Sequence, residues 1–104
     1  MIETREQVIE RMIAAIAPVL SVSVDDVRGK GREKSAVEAR QILYRAAHEI
    51  GGMSSTDIAR VLDRDHSSVI TGLKSLGRKC ARDAWLNETT QRLLDELRSG
   101  GPLK

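Results

Sequence analysis

The stretch Asp63-Arg64-Asp65-His66-Ser67-Ser68-Val69 decides how the chain is read. Polar side chains fill its first six positions, and an apolar repeat at helical spacing follows through Val69, Ile70, Leu73, Leu76 and Cys80. Before it lies a compact helical segment, Ser55 to Leu62, whose Ile58, Ala59 and Leu62 face inward. Asp63-Arg64 make a turn, and Asp65 is placed to cap a helix that starts at His66 and runs to about Arg82. Two helices so closely joined, the second opening on hydrogen-bonding side chains, predict a helix-turn-helix over about 54–82. Such a second helix enters a DNA major groove N-terminus first. That order puts Arg64, His66, Ser67 and Ser68 at the leading tip, with Thr71, Lys74 and Ser75 further along. Ala59, ten positions before Val69, is small enough for a close crossing of the two helices.

Upstream of the turn, Ser54 or Ser55 caps the first of these helices, and Gly51-Gly52 supplies a left-handed stop for the helix before it. That earlier helix runs through Val37, Ile42, Leu43, Ala46, Ala47 and Ile50, with Ser35 and Glu38 spaced as a capping box. His48 lies near its end, where a polar or cationic side chain complements the helix dipole. The loop ahead of it, Arg28-Gly29-Lys30-Gly31-Arg32-Glu33-Lys34, alternates basic residues with glycine. Such a loop is either a solvated connector or a device for bringing Arg28, Lys30, Arg32 and Lys34 into a negatively charged groove, a narrow minor groove above all. Ser23 and Asp26 cap a short turn around Val24 to Val27. The first helix opens on a Thr4–Gln7 capping box, carries Val8, Ile9, Met12, Ile13 and Ile16 as its buried face, and ends or kinks near Pro18. Its outer face, Glu3, Glu6 and Glu10, is unsuited to phosphate.

Downstream, Asn87 offers a cap for a last helix with Leu93, Leu94 and Leu97 as its stripe. Trp85, near the junction, reads as a core plug, and the tail should fray over about 99–104.

The 104 residues suit one small all-α bundle with an aliphatic core: apolar residues are 40%, aromatic ones 2%, and Phe is absent. So few aromatics argue against a stacking platform for single strands. The formal charge of +2 hides an asymmetry: from Arg28 to Asp83 there are 12 Lys and Arg against 7 Asp and Glu, and elsewhere 5 against 8. A basic middle between acidic flanks is the footprint of an anion-binding face. Cys80 is the only cysteine, so no intrachain disulfide forms, and it reads as a small buried hydrophobe. No apolar run approaches a membrane span and the start does not read as a signal peptide, so a reducing cytoplasm is the expected location. Asp65-His66-Ser67 has the residue types of a hydrolase triad, but neighbouring positions at a helix start diverge in direction. His48, His66 and Cys80 lack metal-ligand spacing. The expectation is therefore no enzyme, no metal and no cofactor.

The string Arg64-Asp65-His66-Ser67-Ser68-Val69 resembles the signature of the C-terminal DNA-binding domain (domain IV) of DnaA, the bacterial replication initiator, whose fold is Trp-repressor-like. The resemblance takes in the basic loop, the pair Arg40-Gln41 and the segment from Met53-Ser54 to Ile58, and it runs from about Val8 to Leu97. It implies reading of a short asymmetric duplex site, the DnaA box. Arg64, Asp65, His66, Ser67 and Ser68 would read bases or fix the helix; Arg32 aligns with a minor-groove arginine; Lys34, Arg40 and Gln41 would contact phosphates or adjacent base edges. Ser55 and Thr71 fall in the same DNA-binding set. Serines here replace the usual threonines, the turn is one residue shorter, Glu38 replaces a typically basic residue, Glu33 dilutes the loop, and Thr71 stands where histidine is common. These changes alter base choice. DnaA also carries an ATPase module, whereas this chain has no G-x-x-x-x-G-K-[ST] loop, so no nucleotide is expected to bind.

The start at Met1 with a capped helix suggests a complete small protein of a bacterial nucleoid or a phage. Its expected partner is double-stranded DNA, bound by a monomer or weak homodimer to regulate transcription or replication at DnaA-box-like sites. The alternative is a helical protein-interaction module that keeps the scaffold and has lost DNA binding, suggested by Glu33, Glu38 and the acidic outer helices.

Overall fold

A computed structural model describes residues 2–100. Its order is α1 (Arg5–Val19), α2 (Val24–Arg28), α3 (Lys34–Glu49), α4 (Ser55–Leu62), α5 (His66–Arg82) and α6 (Ala84–Arg98). No strand occurs among the described residues, in keeping with the expected all-α bundle.

Local chemistry accounts for most boundaries. Thr4–Gln7, Ser23–Asp26 and Ser54–Asp57 each form a reciprocal capping box, so α1, α2 and α4 begin where a side-chain oxygen accepts from the third helical amide. Helix α1 stops one residue after Pro18, and Gly52 takes the left-handed φ of 67° after α3. His48 Nδ1 donates to the Met53 carbonyl at 2.9 Å, which ties the end of α3 to the segment entering α4. Asp63 ends α4 in a left-handed conformation, φ 53°, which turns the chain sharply toward α5.

Three expectations need correction. Helix α3 starts at Lys34 with Glu33 in the cap position and no side-chain cap bond, so Ser35 and Glu38 lie inside the helix and form no box. Helix α6 is capped by Asp83, whose carboxylate accepts from the Leu86 amide at 3.1 Å, and not by Asn87, which lies a turn inside. Trp85 is 57% exposed and is no core plug. The buried stripe of α6 runs Leu86, Thr90, Leu93 and Leu97, and Trp85 sits about 100° round the helix from Leu86. At the other end Ser99 Oγ donates to the Asp95 and Glu96 carbonyls and closes α6; residues 101–104 of the expected frayed tail lie outside the described residues.

The core is aliphatic apart from Tyr44. Ile9, Met12, Ile16, Ile42, Leu43, Ile58, Val69, Leu76 and Leu94 are all sealed from solvent. Helix α3 runs through the middle, packing most closely on α5 and α1, while α4 packs on α5 as the first helix of the turn motif. The α3–α5 crossing is close because Gly72 lacks a side chain: a Cβ there would lie 2.8 Å from Cε2 of Tyr44. This crossing sets where the start of α5 sits relative to the basic loop.

Candidate nucleic-acid interface

Helices α3 and α5 leave a groove between them. Val37, Arg40, Gln41 and Tyr44 form one wall, and Arg64, Ser67, Ser68, Thr71, Ser75 and Arg78 the other, with Arg32 of the loop at one end. A second, smaller hollow beside the turn gathers Lys30, Asp63, Arg64, Asp65 and Ser68. His66, Ser67, Ser68, Thr71 and Lys74 are exposed, as the leading part of a recognition helix must be. Asp65 occupies the cap position of α5 without bonding its amides through the side chain. The first amides of α5 are therefore left without a side-chain acceptor, and the same holds at α3. The other four helices all have side-chain caps. The two helices that lack one are the two that flank the groove.

Cations are sorted in the same way. Arg5, Arg11, Arg28, Arg45 and Arg98 pair with carboxylates. Among the described residues, Lys30, Arg32, Lys34, Arg60, Lys74, Arg78, Arg82 and Arg92 make no salt bridge and are exposed. Most of this unneutralised charge runs along the loop, the start of α3 and α5, with Arg60 on α4 and Arg92 on α6 apart from it.

The set read from the sequence divides on inspection. Arg28 pairs with Glu6 of α1, so one loop arginine is already neutralised. Arg40 is 6% exposed and points into the loop: Nε donates to the Val27 carbonyl at 2.9 Å, Nη1 to Gly31 at 3.1 Å and Nη2 to Asp26 at 2.7 Å. Burial, and then the like charge of Arg64, hold its guanidinium below the usual arginine range, although it keeps its proton. Arg64 donates to the Gly29 carbonyl and, at 3.3 Å, to that of Arg28. Gln41 is largely buried, and its Oε1 accepts from Lys79 Nζ at 3.1 Å. Ser55 is the first residue of α4, half-buried and away from the groove wall; the neighbouring Ser54 caps. Lys34 opens α3, and Lys74 lies outside the groove on the exposed side of α5.

Sequence reasoning missed Tyr44, Gly72 and Arg78. Arg78 was within reach, since positions 67, 71, 75 and 78 follow helical spacing from the tip and trace the groove wall. Tyr44 is 3% exposed; burial pushes its phenol upward in pKa while Arg64 and Arg40 pull it down. It serves as the floor on which α5 rests. Nothing local marks it, because its partner lies 28 residues on. Among the described residues no cluster of three or more His, Cys, Asp or Glu is placed to hold a metal ion, and no helix is long and apolar enough to cross a membrane.

Comparison with known proteins agrees with this geometry. Chromosomal replication initiator protein DnaA of Treponema pallidum is 33% identical over 92 residues, 88% of this chain and 19% of that protein. The protein of the same name from Desulfotalea psychrophila is 32% identical over 83 residues, 80% of this chain and 17% of its own length. The chain thus spans under a fifth of these relatives. A crystal structure of a DNA replication initiation factor shares the fold, with a TM-score of 0.72 at 23% identity over 88% of this chain and 29% of that one. The family model for the bacterial dnaA protein helix-turn-helix matches residues 9–76, from the buried face of α1 to the middle of α5. The chain belongs to that family.

Proposed function

We propose that this chain binds double-stranded DNA sequence-specifically, with the start of α5 in the major groove and the 29–33 loop on the adjacent minor groove or backbone. The observation that carries this reading is the coincidence, on one face, of an α5 N-terminus without a side-chain cap, exposed hydrogen-bonding side chains and unpaired cations. Free amides at a helix start attract phosphate oxygens. The hydroxyls of Ser67, Ser68 and Thr71 and the ring of His66 can donate to or accept from base edges, whose pattern in the major groove distinguishes all four pairs. Lys30, Arg32 and Lys34 supply the sequence-independent part of the affinity. The division of labour is positioning by the loop and reading by the tip. The proposed targets are DnaA-box-like sites and the proposed setting is a bacterial nucleoid or a phage in the cytoplasm; the bacterial chromosomal replication initiators among the relatives support a replication context. The role is regulation of replication or transcription by a monomer or weak homodimer, without nucleotide, metal or catalysis.

Two substitutions test the division. His66→Ala should reduce discrimination at one base pair by about 1–3 kcal/mol. Arg32→Ala should weaken all duplexes alike and lower the slope of log K against log salt by about one. Normal affinity, specificity and salt slope in both variants would refute the assignment.

A further inference from the structure

The resemblance treats Arg40 and Arg64 as DNA contacts, but Arg40 is engaged through all three guanidinium nitrogens and Arg64 through Nη2. Between them the two guanidinium groups take the carbonyls of Asp26, Val27, Arg28, Gly29 and Gly31. Lys30 is the only residue in that run whose carbonyl they leave free. Asp26, Val27 and Arg28 end the short helix α2, whose last carbonyls have no partner further along it, and Gly29 and Gly31 lie in a loop with no ladder or helix of its own. Here the acceptors turn inward onto two guanidinium groups, one from the second turn of α3 and one from the residue just before the cap of α5. With the carbonyls turned inward, Lys30 and Arg32 stay outside and exposed.

We propose that Arg40 and Arg64 are positioning residues that clamp the loop backbone and lock it in register with the tip of α5. The loop and the tip then meet DNA as one preformed body, with little loop-ordering entropy left to lose on binding. Arginine suits this task at position 40 because three nitrogens of one rigid plane reach three carbonyls at once, which a lysine ammonium cannot do from one position. The two like charges tolerate each other because each faces carbonyl oxygens. A preformed body also fixes the offset between the base pairs touched by the loop and those read by the tip.

The binding arm of the test rests on the duplex-DNA reading, whereas the first arm does not. In the free chain, 15N relaxation should give order parameters for Lys30 to Glu33 near the rigid value of about 0.85, falling below about 0.6 in Arg40→Ala and in Arg64→Ala. Unchanged loop order in both variants would overturn the clamp. Should Arg40→Ala fail to fold, Arg64→Ala, whose side chain is less buried, carries the test alone. The second arm is a double-mutant cycle on the best-enriched duplex from a random library. Arg32→Ala should cost roughly tenfold in Kd at low salt in the unmodified chain and less than about twofold with Arg64→Ala in place, because the loop is then already lost. Equal costs in both backgrounds would mean that Arg64 acts as an independent contact. Arg40→Lys separates the two roles again: a phosphate contact keeps most of its affinity as lysine, and a clamp made through three nitrogens does not. Failure of the chain to bind any duplex, with the loop order still dependent on both arginines, would sink the DNA reading and leave the clamp standing.

Discussion

Gly72→Ala and Gly77→Ala are the same chemical change five positions apart in the interior of α5, and they should move stability in opposite directions. Alanine is favoured over glycine in a helix interior by about 1 kcal/mol, and that gain applies at both sites. At Gly77 a Cβ meets nothing nearer than Nη2 of Arg45 at 3.9 Å, an ordinary contact, so the gain is kept. At Gly72 the Cβ lies 2.8 and 2.9 Å from Cε2 and Cδ2 of Tyr44, whereas carbon atoms rest at about 3.5–4.0 Å. The ring is 3% exposed and cannot swing into solvent, so α5 must move off α3 by roughly 0.7 Å or more. Overpacking of this kind costs about 1–3 kcal/mol. Subtracting one variant from the other cancels the propensity and leaves the strain, a gap of about 1–3 kcal/mol in urea unfolding. For a domain of this size that corresponds to roughly 5–20 °C in Tm. The same displacement shifts the tip of α5 against the loop, so Gly72→Ala should lose duplex affinity and Gly77→Ala should not. Equal stabilisation by both alanines would refute the close α3–α5 crossing.

Other predictions concern the ends of helices and their surfaces. Arg78 stands about 16 Å of helix rise beyond Ser67, and its side chain leans back toward the N-terminus; Arg82 stands about 22 Å beyond. With a major groove about 8.5 Å deep, Arg78 can reach a phosphate at the rim and Arg82 cannot. Arg78→Ala should therefore lower the salt slope of duplex binding by about one and Arg82→Ala should leave it unchanged, as read by fluorescence anisotropy at several salt concentrations. Ser54→Ala removes the α4 cap and should cost about 1 kcal/mol in chemical denaturation. Hydrogen bonds from the backbone and side chain of Ser54 hold the Asp57 carboxyl below its ordinary value. A carboxyl depressed in the folded state stabilises it above the unfolded value of about 4, and that contribution fades as pH falls through the folded value. Tm should drop below about pH 4, and Ser54→Ala should flatten that limb. Trp85, as the only indole and largely exposed, should emit at the solvent-exposed wavelength and be quenched freely by acrylamide, and Trp85→Ala should change stability by no more than about 0.5 kcal/mol.

What was legible in the chain followed from local rules. The Thr4, Ser23 and Ser54 boxes, the stop after Pro18, the turn at Gly52 and the span of α5 to Arg82 each depend on residues within a turn or so of each other. Apolar spacing located the buried faces for the same reason. What was not legible depends on partners remote in sequence. Arg40 has the composition of a DNA contact, and only the return of residues 26–31 over α3 reveals that its charge faces backbone oxygens. Arg28 looks free until Glu6 comes to it from 22 residues away. Trp85 looks like core because it is large, yet the single-residue link at Asp83 sets the phase of α6 and turns it outward. The face itself was readable, then, while the direction of several of its side chains required the fold.

The most direct test of the central claim is selection of duplexes from a random library by the whole chain at physiological salt, with affinity then measured for the winner and for a scrambled control. A short asymmetric site resembling the DnaA box should be enriched and bound on the order of a thousandfold or more tighter than the control. No enrichment and no retention of any duplex at low salt would contradict the duplex-DNA reading, and the scaffold would then be an interaction module for protein partners.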